Sequence, residues 1–377
     1  MHILFHRPTP WTSTINCSTK IYSRLFSQLG YKVSYLQSNI NLIHYFFKYG
    51  YFKVWNQGNR FENNIWVCSC LSLFPYLDNI PIFSKYFIKL SYLITIPPLR
   101  KVILNSGYGE PDFIWTTIPG SIYLKKVFPK SKLIFHCIDN YSAYRGSTIK
   151  SIESDDYDFS DHIFVIGESL SNFLTNEYKI DPNKITNLGQ GVNIKAYSKK
   201  YKKPEELNSF KGPIAIWVGV LSKIDFDLFK IVSKHLAEKN GAIIIIGPNT
   251  TGMEFSGFNN IKYLGPKSSS DVPRFLQYSD IGLMLYNRKN KEIYKGQHPL
   301  KLYEYCAAGL EIISTPHSEF EYIKPPVNVI QNESDLEKLM KKILSSKLNK
   351  NIDALKFAEE NSWSKCRDKA SLVLKNL

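Results

Sequence analysis

Lys301 and Glu304 stand three positions apart in the run QHPLKLYEYCAAGLEIIST, residues 297–315, and together they have the chemistry to hold a nucleotide. Side chains three apart share one face of a helix. A lysine near a helix N-terminus offers a seat for a diphosphate, because ammonium and unpaired N–H groups both attract anions. A carboxylate one turn further on can accept two hydrogen bonds from a ribose diol. The same spacing also describes an ordinary solvated ion pair, worth roughly a few tenths of a kcal/mol.

The run also supplies the elements that would position the pair. Pro299 suits the first helical position, where a missing N–H costs nothing. Gly309 suits the left-handed cap that ends a helix, and Glu311 opens a β-branched run fit for a buried parallel strand. Gln297 and His298, just ahead of the helix, could hydrogen-bond a ligand or satisfy their own loop. With Leu300 they complete the candidate binding segment.

Further candidates fall at the ends of expected strands. Gly219 and Gly247-Pro248 could let backbone N–H groups reach phosphate or base, or could be plain tight turns. Tyr286 could border the nucleotide or belong to the core. Asp139 closes the apolar run IFHCID, where partial burial would suit a general base; its other reading is a cap for the next turn. Tyr141 and Glu153 are supporting candidates there, and His6 and Arg7, ending the first strand, are placed to touch an acceptor or its phosphate. Asp155-Asp156 and the Asp-Phe-Asp at 225–227 fall on helix surfaces or starts, so no metal site is expected.

The chain has 377 residues, enough for two domains with cores of their own. Lys and Arg outnumber Asp and Glu by 48 to 33, a net charge of +15 that favours anionic partners without choosing among them. Six scattered cysteines make neither a disulfide framework nor a zinc site and suggest a reducing cytosol. The N-terminus runs directly into a strand with no leader pattern, and no uncharged run reaches the length of a membrane span.

Strands are expected at 2–6, 32–37, 113–117, 132–137, 162–167 and 187–188, with helices between, the first capped by Thr12, Ser13 or Thr14 and ending at Gly30. The glycine-rich turn of nicotinamide and flavin enzymes is missing after the first strand. From 39 to 99 the pattern loosens. Residues 80–99, with Lys85 and Lys89 four apart, suit either an amphipathic helix on a membrane or a core-facing helix. The charged stretch 199–213 reads as a linker, which divides the chain into a first domain (1–198), a second (214–355) and a C-terminal helical tail (356–377) that packs back on the first. A second series of strands follows the linker at 215–220, 242–247, 261–264, 281–286, 311–315 and 327–331, with Asp271 capping a helix to Tyr278. Two parallel α/β domains, each Rossmann-like, would face one another across a cleft at their strand carboxyl ends.

These residues resemble a family: nucleotide-sugar glycosyltransferases of the GT-B fold, family 4-like, that build bacterial capsule, O-antigen or exopolysaccharide. The matching segments are Ile216-Trp-Val-Gly219 with Lys223 and Asp225, Ile246-Gly247-Pro248, Tyr263-Leu-Gly265, the strand end at Ser279–Tyr286, HPLKLYEYCAAGLEIIST and Asn361-Ser-Trp363. In the first half, Gly189-Gln-Gly191-Val192-Asn193 is similar to the segment closing the acceptor domain. Cys137-Ile-Asp139-Asn-Tyr141 with Glu153 resembles the xanthan glucuronosyltransferase. The resemblance implies that Glu304 binds the ribose of a nucleotide diphosphate sugar, UDP-linked, and that Lys301 and Lys223 neutralise its diphosphate. It also implies a lipid-linked glycan acceptor; the basic charge and the 80–99 segment motivate cytoplasmic residence with peripheral contact to an anionic inner membrane, no metal or other cofactor is expected, and lysines dispersed over two α/β domains argue against a nucleic-acid partner. Many retaining members carry a second glutamate eight positions before the one matched by Glu304; here that position is Gly296, which leaves retention or inversion open. An epimerase of the same fold and a basic nucleic-acid-binding protein are the rival readings.

Overall fold

The computed structural model describes residues 1–13, 17–37, 40–41, 58–77, 83–255, 257–289 and 298–377. Gly296, Gln297 and Thr14, each singled out above, lie outside the described residues. The chain divides into two compact units, Met1–Gly189 with Lys369–Leu377, and Gln190–Asp368.

In the first unit the described strands are β1 (His2–His6), β2 (Lys32–Leu36), β3 (Ile40–Asn41), β4 (Arg60–Glu62), β5 (Ile65–Cys68), β6 (Leu71–Ser72), β7 (Thr95–Ile96), β8 (Phe113–Thr116), β9 (Lys132–Cys137), β10 (His162–Val165) and β11 (Ile185–Asn187). The main sheet has the order β11-β10-β9-β8-β1-β2-β5-β4, and β3, β6 and β7 form a small second sheet. Its strands pair in parallel from β11 to β5; only the β4–β5 edge is antiparallel. Residues of β1, β8 and β10 are buried throughout, as parallel strands covered on both faces must be. The order reverses between β1 and β8, and beyond their carboxyl ends Arg7 and Thr117 meet.

The first helix, Ser18–Gln28, starts later than Thr12 or Ser13 could cap it. Cys17 holds the cap position without a side-chain bond, while Ser13 is tied into the preceding loop by its N–H to the Pro10 carbonyl (3.0 Å). Within 80–99, residues 80–82 lie outside the described residues, and the rest is two helices, Ser84–Leu93 and Leu99–Leu104, with β7 between them. The first buries Ser84, Ile88, Ser91 and Tyr92 and turns Tyr86 outward, 59 % exposed, so one segment serves the core and presents an apolar face. Lys85 is paired with Asp155 at 2.6 Å.

The second unit holds β12 (Ile214–Val218), β13 (Ala242–Ile246), β14 (Ile261–Tyr263), β15 (Ile281–Met284), β16 (Glu311–Ser314) and β17 (Asn328–Val329). Their order, β14-β13-β12-β15-β16-β17, is parallel throughout and places the first strand at the centre. This is the doubly wound arrangement, whose ligands bind outside the strand carboxyl ends where the order reverses, here between β12 and β15.

The stretch 199–213 is part of this unit. Leu207 is fully buried, and Tyr278 donates its hydroxyl to the Tyr201 carbonyl at 2.6 Å, so apolar anchors hold down a segment that its charge marks as a linker. The helix Ile352–Glu360, which an expected boundary at 355/356 would cut, is one element packed on the helix Leu300–Ala307 through stacked Phe357 and Tyr303 rings. Asp271 occupies its helix N-cap but makes no side-chain cap bond, being engaged by Ser268 (3.1 Å) and Arg274 (3.6 Å) instead.

Candidate functional site

The helix Leu300–Ala307 is the device that sets the second unit's site. Pro299 sits one position earlier than expected, at the N-cap, with its carbonyl accepting from the Leu302 N–H at 3.2 Å. At the other end Gly309, at φ 65°, lets its own N–H reach the Cys306 carbonyl and the Leu310 N–H reach that of Tyr305. That is a Schellman cap. The helix is fixed to the sheet by Tyr305. Its hydroxyl accepts the Val218 N–H of β12 at 2.9 Å, and its ring lies where a side chain at Gly282 of β15 would have to be. One residue therefore ties the helix to both strands at the reversal point.

Lys301 then projects over that point. Its Nζ lies 3.4 Å from the centroid of the Trp217 ring and 4.9 Å from that of Tyr286. Burial drives its pKa well below the usual lysine range, nearby Lys223 lowers it further, and Glu304 opposes them. Burial likewise pushes the Glu304 carboxyl up to about 7, with Lys301 opposing. Both side chains nonetheless keep a partly exposed surface, as groups on the floor of a concavity do. Among the described residues acting on Lys301, Lys223 adds a second positive group and Glu304 an acidic one, a balance that suits an anionic ligand.

The glycines act differently from the expectation. The Gly219 N–H donates to the Ile246 carbonyl at 2.8 Å and the Gly247 N–H to that of Gly265 at 3.1 Å, so neither is left to reach a phosphate. Their contribution is room. A Cβ on Gly219 would come within 3.0 Å of Lys301 Nζ, and one on Gly247 would collide with the Gly219 carbonyl. The Pro248 carbonyl accepts from the Leu221 N–H at 3.1 Å, which fixes the turn carrying Lys223. His298 is buried, and its Nε2 bonds the Tyr303 hydroxyl at 2.6 Å, so that nitrogen anchors the helix start rather than a ligand. Leu300 is partly exposed at the first helical position.

Two members of this cluster escaped the sequence reading. Trp217 looked like one more strand residue. His317, just past β16, packs against Tyr286 with its Nδ1 buried and lacking a hydrogen-bond partner. Burial, then His298 and Lys223, lower its pKa to about 4, so it is a neutral ring. A histidine at a strand's carboxyl end, in Thr315-Pro-His317, was the available signal.

In the first unit, β1, β8 and β9 gather the acceptor-side candidates. Arg7 donates from Nη1 to the Thr117 hydroxyl at 2.9 Å and hydrogen-bonds Tyr141, whose own hydroxyl donates to the Thr117 carbonyl at 2.8 Å. Asp139 lies two residues beyond the end of β9, partly exposed, beside Tyr141. The cap of the following helix is Asn140, which accepts the Ala143 N–H at 3.1 Å, so the capping role considered for Asp139 is already filled.

His6 and Glu153 are less available than expected. His6 is buried between Thr116 (3.2 Å) and Tyr92 (3.4 Å), and burial lowers its pKa to about 3. Glu153 is 0 % exposed, accepts from Tyr178 at 2.9 Å and Tyr157 at 3.3 Å, and is pushed by burial to about 7. It ties the helix Ser147–Phe159 to Tyr178 and does not face solvent.

No protein-family model matches the sequence. The chain is 25 % identical over 238 residues to the "Putative teichuronic acid biosynthesis glycosyltransferase TuaH" of Bacillus subtilis, a match covering 58 % of this chain and 59 % of that one. The chain therefore spans about three-fifths of that relative's length. Among solved structures, sucrose-phosphate synthase of Thermosynechococcus elongatus superposes with a TM-score of 0.71 at 10 % identity, covering 100 % of this chain and 98 % of that one. Anabaena HepE in complex with UDP gives a TM-score of 0.65 at 12 % identity, covering 100 % of both chains. The resemblance to GT-B glycosyltransferases drawn from the sequence holds in sequence and in structure, and the chain has the GT-B fold of two Rossmann-like units.

Proposed function

We propose that the protein is a metal-independent glycosyltransferase that takes a sugar from a nucleoside diphosphate donor, a UDP-sugar, to a lipid-linked glycan acceptor in surface-polysaccharide synthesis. The observation that carries the donor half is the placing of Lys301, Lys223 and Glu304 at the reversal point between β12 and β15. Glu304 would accept the ribose hydroxyls, and the two lysines would hold the diphosphate. Charge grows on that leaving group as the glycosidic bond breaks, so fixed cations there stabilise the transition state beyond the ground state. The UDP named with the Anabaena structure supports the choice of nucleotide.

On the acceptor side, Asp139 would take the proton of the attacking hydroxyl, as direct displacement requires, with Arg7 and Tyr141 orienting the acceptor. Cytoplasmic residence with peripheral attachment to an anionic membrane face fits the charge of +15 and the exposed Phe83 and Tyr86. No helix among the described residues is long and apolar enough to cross a membrane.

A thermal-shift screen against nucleotide sugars tests the reading. UDP and one UDP-sugar should raise the melting temperature; no response to any nucleoside diphosphate would sink it.

A further inference from the structure

We propose that Arg288 is a positioning residue for the donor site: through Asp225 it sets where the Lys223 ammonium stands, and so how firmly a nucleoside diphosphate is held. The inference rests on the donor-site reading above and adds to it a residue that acts through another.

Lys223 closes a single 3₁₀ turn, Leu221–Lys223, which is too short to aim a long side chain unaided. Backbone bonds tie that turn to the chain just beyond β15. The Asn287 N–H donates to the Lys223 carbonyl at 2.9 Å, and the Asp225 N–H donates to the Leu285 carbonyl at 2.9 Å. Between them Ile224 and Tyr286 pair as an isolated antiparallel bridge. The Tyr286 ring in turn borders Lys301, with Nζ 4.9 Å from its centroid. One patch of backbone thus carries Lys223 and part of the frame around Lys301.

An ion pair fastens this patch. The buried Asp225 accepts the Leu228 N–H on Oδ1 at 3.3 Å, which caps the helix Phe226–Ala237. Its Oδ2 accepts from Arg288 Nε at 2.8 Å and from the Arg288 N–H at 3.4 Å. A cap needs no cation, since the helix N-terminus already favours a carboxylate and a neutral Asn serves as well. Arg288 Nη2 reaches on to Glu333 at 2.6 Å, the first residue of the helix Glu333–Leu344. The guanidinium therefore fixes the patch to the starts of both helices. With Asp225 buried and Arg288 partly covered, the pair is shielded from the screening that makes exposed pairs worth little.

Calorimetric titration with UDP tests this on the wild type, Lys223→Ala, Arg288→Ala and the double variant. Each single change should weaken UDP binding by about 10-fold, and the double variant should bind within about twofold of Lys223→Ala. A residue that acts only through Lys223 has nothing left to act on once that lysine is gone. A merely structural role would instead add its own loss to that of Lys223. Arg288→Gln, which keeps the stem without the charge, carries the same cycle if the alanine variant does not fold. Losses that add in the double variant, or UDP affinity in Arg288→Ala within about twofold of wild type, would overturn the proposal and leave the donor site standing. Unchanged affinity in Lys223→Ala would also overturn it. Absence of any UDP heat in the wild type would overturn both the proposal and the donor-site reading.

Discussion

Glu304 and Lys301 sit one turn apart on the same helix, and burial pushes both toward their neutral forms, the carboxyl up to about 7 and the ammonium well below its usual range. A structural ion pair would push each the other way. Groups held in this state are poised for a ligand that brings charge and hydrogen bonds of its own.

The first prediction concerns affinity. Lys301→Ala and Glu304→Ala should each weaken UDP binding by about 10- to 100-fold, the loss expected for one charge-assisted hydrogen bond. Isothermal titration calorimetry reads it directly, and unchanged affinity in both variants would remove this helix from the site.

The acceptor side makes a separable prediction. Asp139→Asn should leave UDP affinity within about twofold while reducing transfer by about 100-fold or more, as expected for loss of a general base. Sugar transfer to a lipid extract of the native membrane, followed by UDP release, is the measurement. Normal turnover in this variant would refute the assignment.

Glu153 supplies a prediction about stability and pH. Its folded pKa, near 7, lies above the ordinary carboxyl value of 4.5, so the native state binds the proton more tightly than the unfolded chain. The stability that Glu153 contributes is complete below the unfolded pKa and is lost as pH rises through about 7. The size is on the order of 3 kcal/mol at full ionisation. Glu153→Gln should therefore resist urea better than wild type above neutrality and show no advantage near pH 4. Equal pH slopes in the two proteins would rule this out.

Backbone geometry gives a fourth prediction. Gly247 lies at φ 148° with its missing Cβ directed at the Gly219 carbonyl. Gly247→Ala should cost at least about 2 kcal/mol of stability and also lower UDP affinity, because the displaced residue is the one that makes room for Lys301. A thermal melt with and without UDP checks both effects.

Membrane contact can be tested independently of catalysis. Phe83 and Tyr86 are 57 % and 59 % exposed near Leu93 and Ile96, an unusual set of apolar side chains to leave in water. Cosedimentation with anionic vesicles should occur and should fall at least about threefold in a Phe83→Ser, Tyr86→Ser variant, since burial of each ring is worth on the order of 1 kcal/mol or more.

Much of this was readable in the amino acids. A run such as Ala-Ile-Ile-Ile-Ile in β13 has no competing reading, because a strand covered on both faces must be apolar without interruption. The helix of Lys301 and Glu304 was legible from Pro299 and Gly309. What was hidden depends on partners distant in the chain. That Gly219 spends its N–H on Ile246, or that Trp217 meets Lys301, follows from strand order, which no local pattern encodes.

The β4–β5 hairpin was overlooked for a different reason. Its strands are too short for periodicity, although Asn63-Asn64, at φ 51° and 63°, carry the left-handed turn such hairpins need. The buried state of Glu153 was equally hidden, since nothing nearby announces that Tyr178 will cover it.

The hydroxyl of Tyr305 holding the Val218 N–H has a consequence for how this protein can change. The residue that docks the helix is not one of those offered to the ligand. Positions 301 and 304 can therefore be exchanged, by selection or by an engineer, without undocking the scaffold that presents them, so donor preference and fold stability are separately adjustable. Tyr305→Phe would act in the opposite sense, keeping the same functional groups but loosening the frame that aims them.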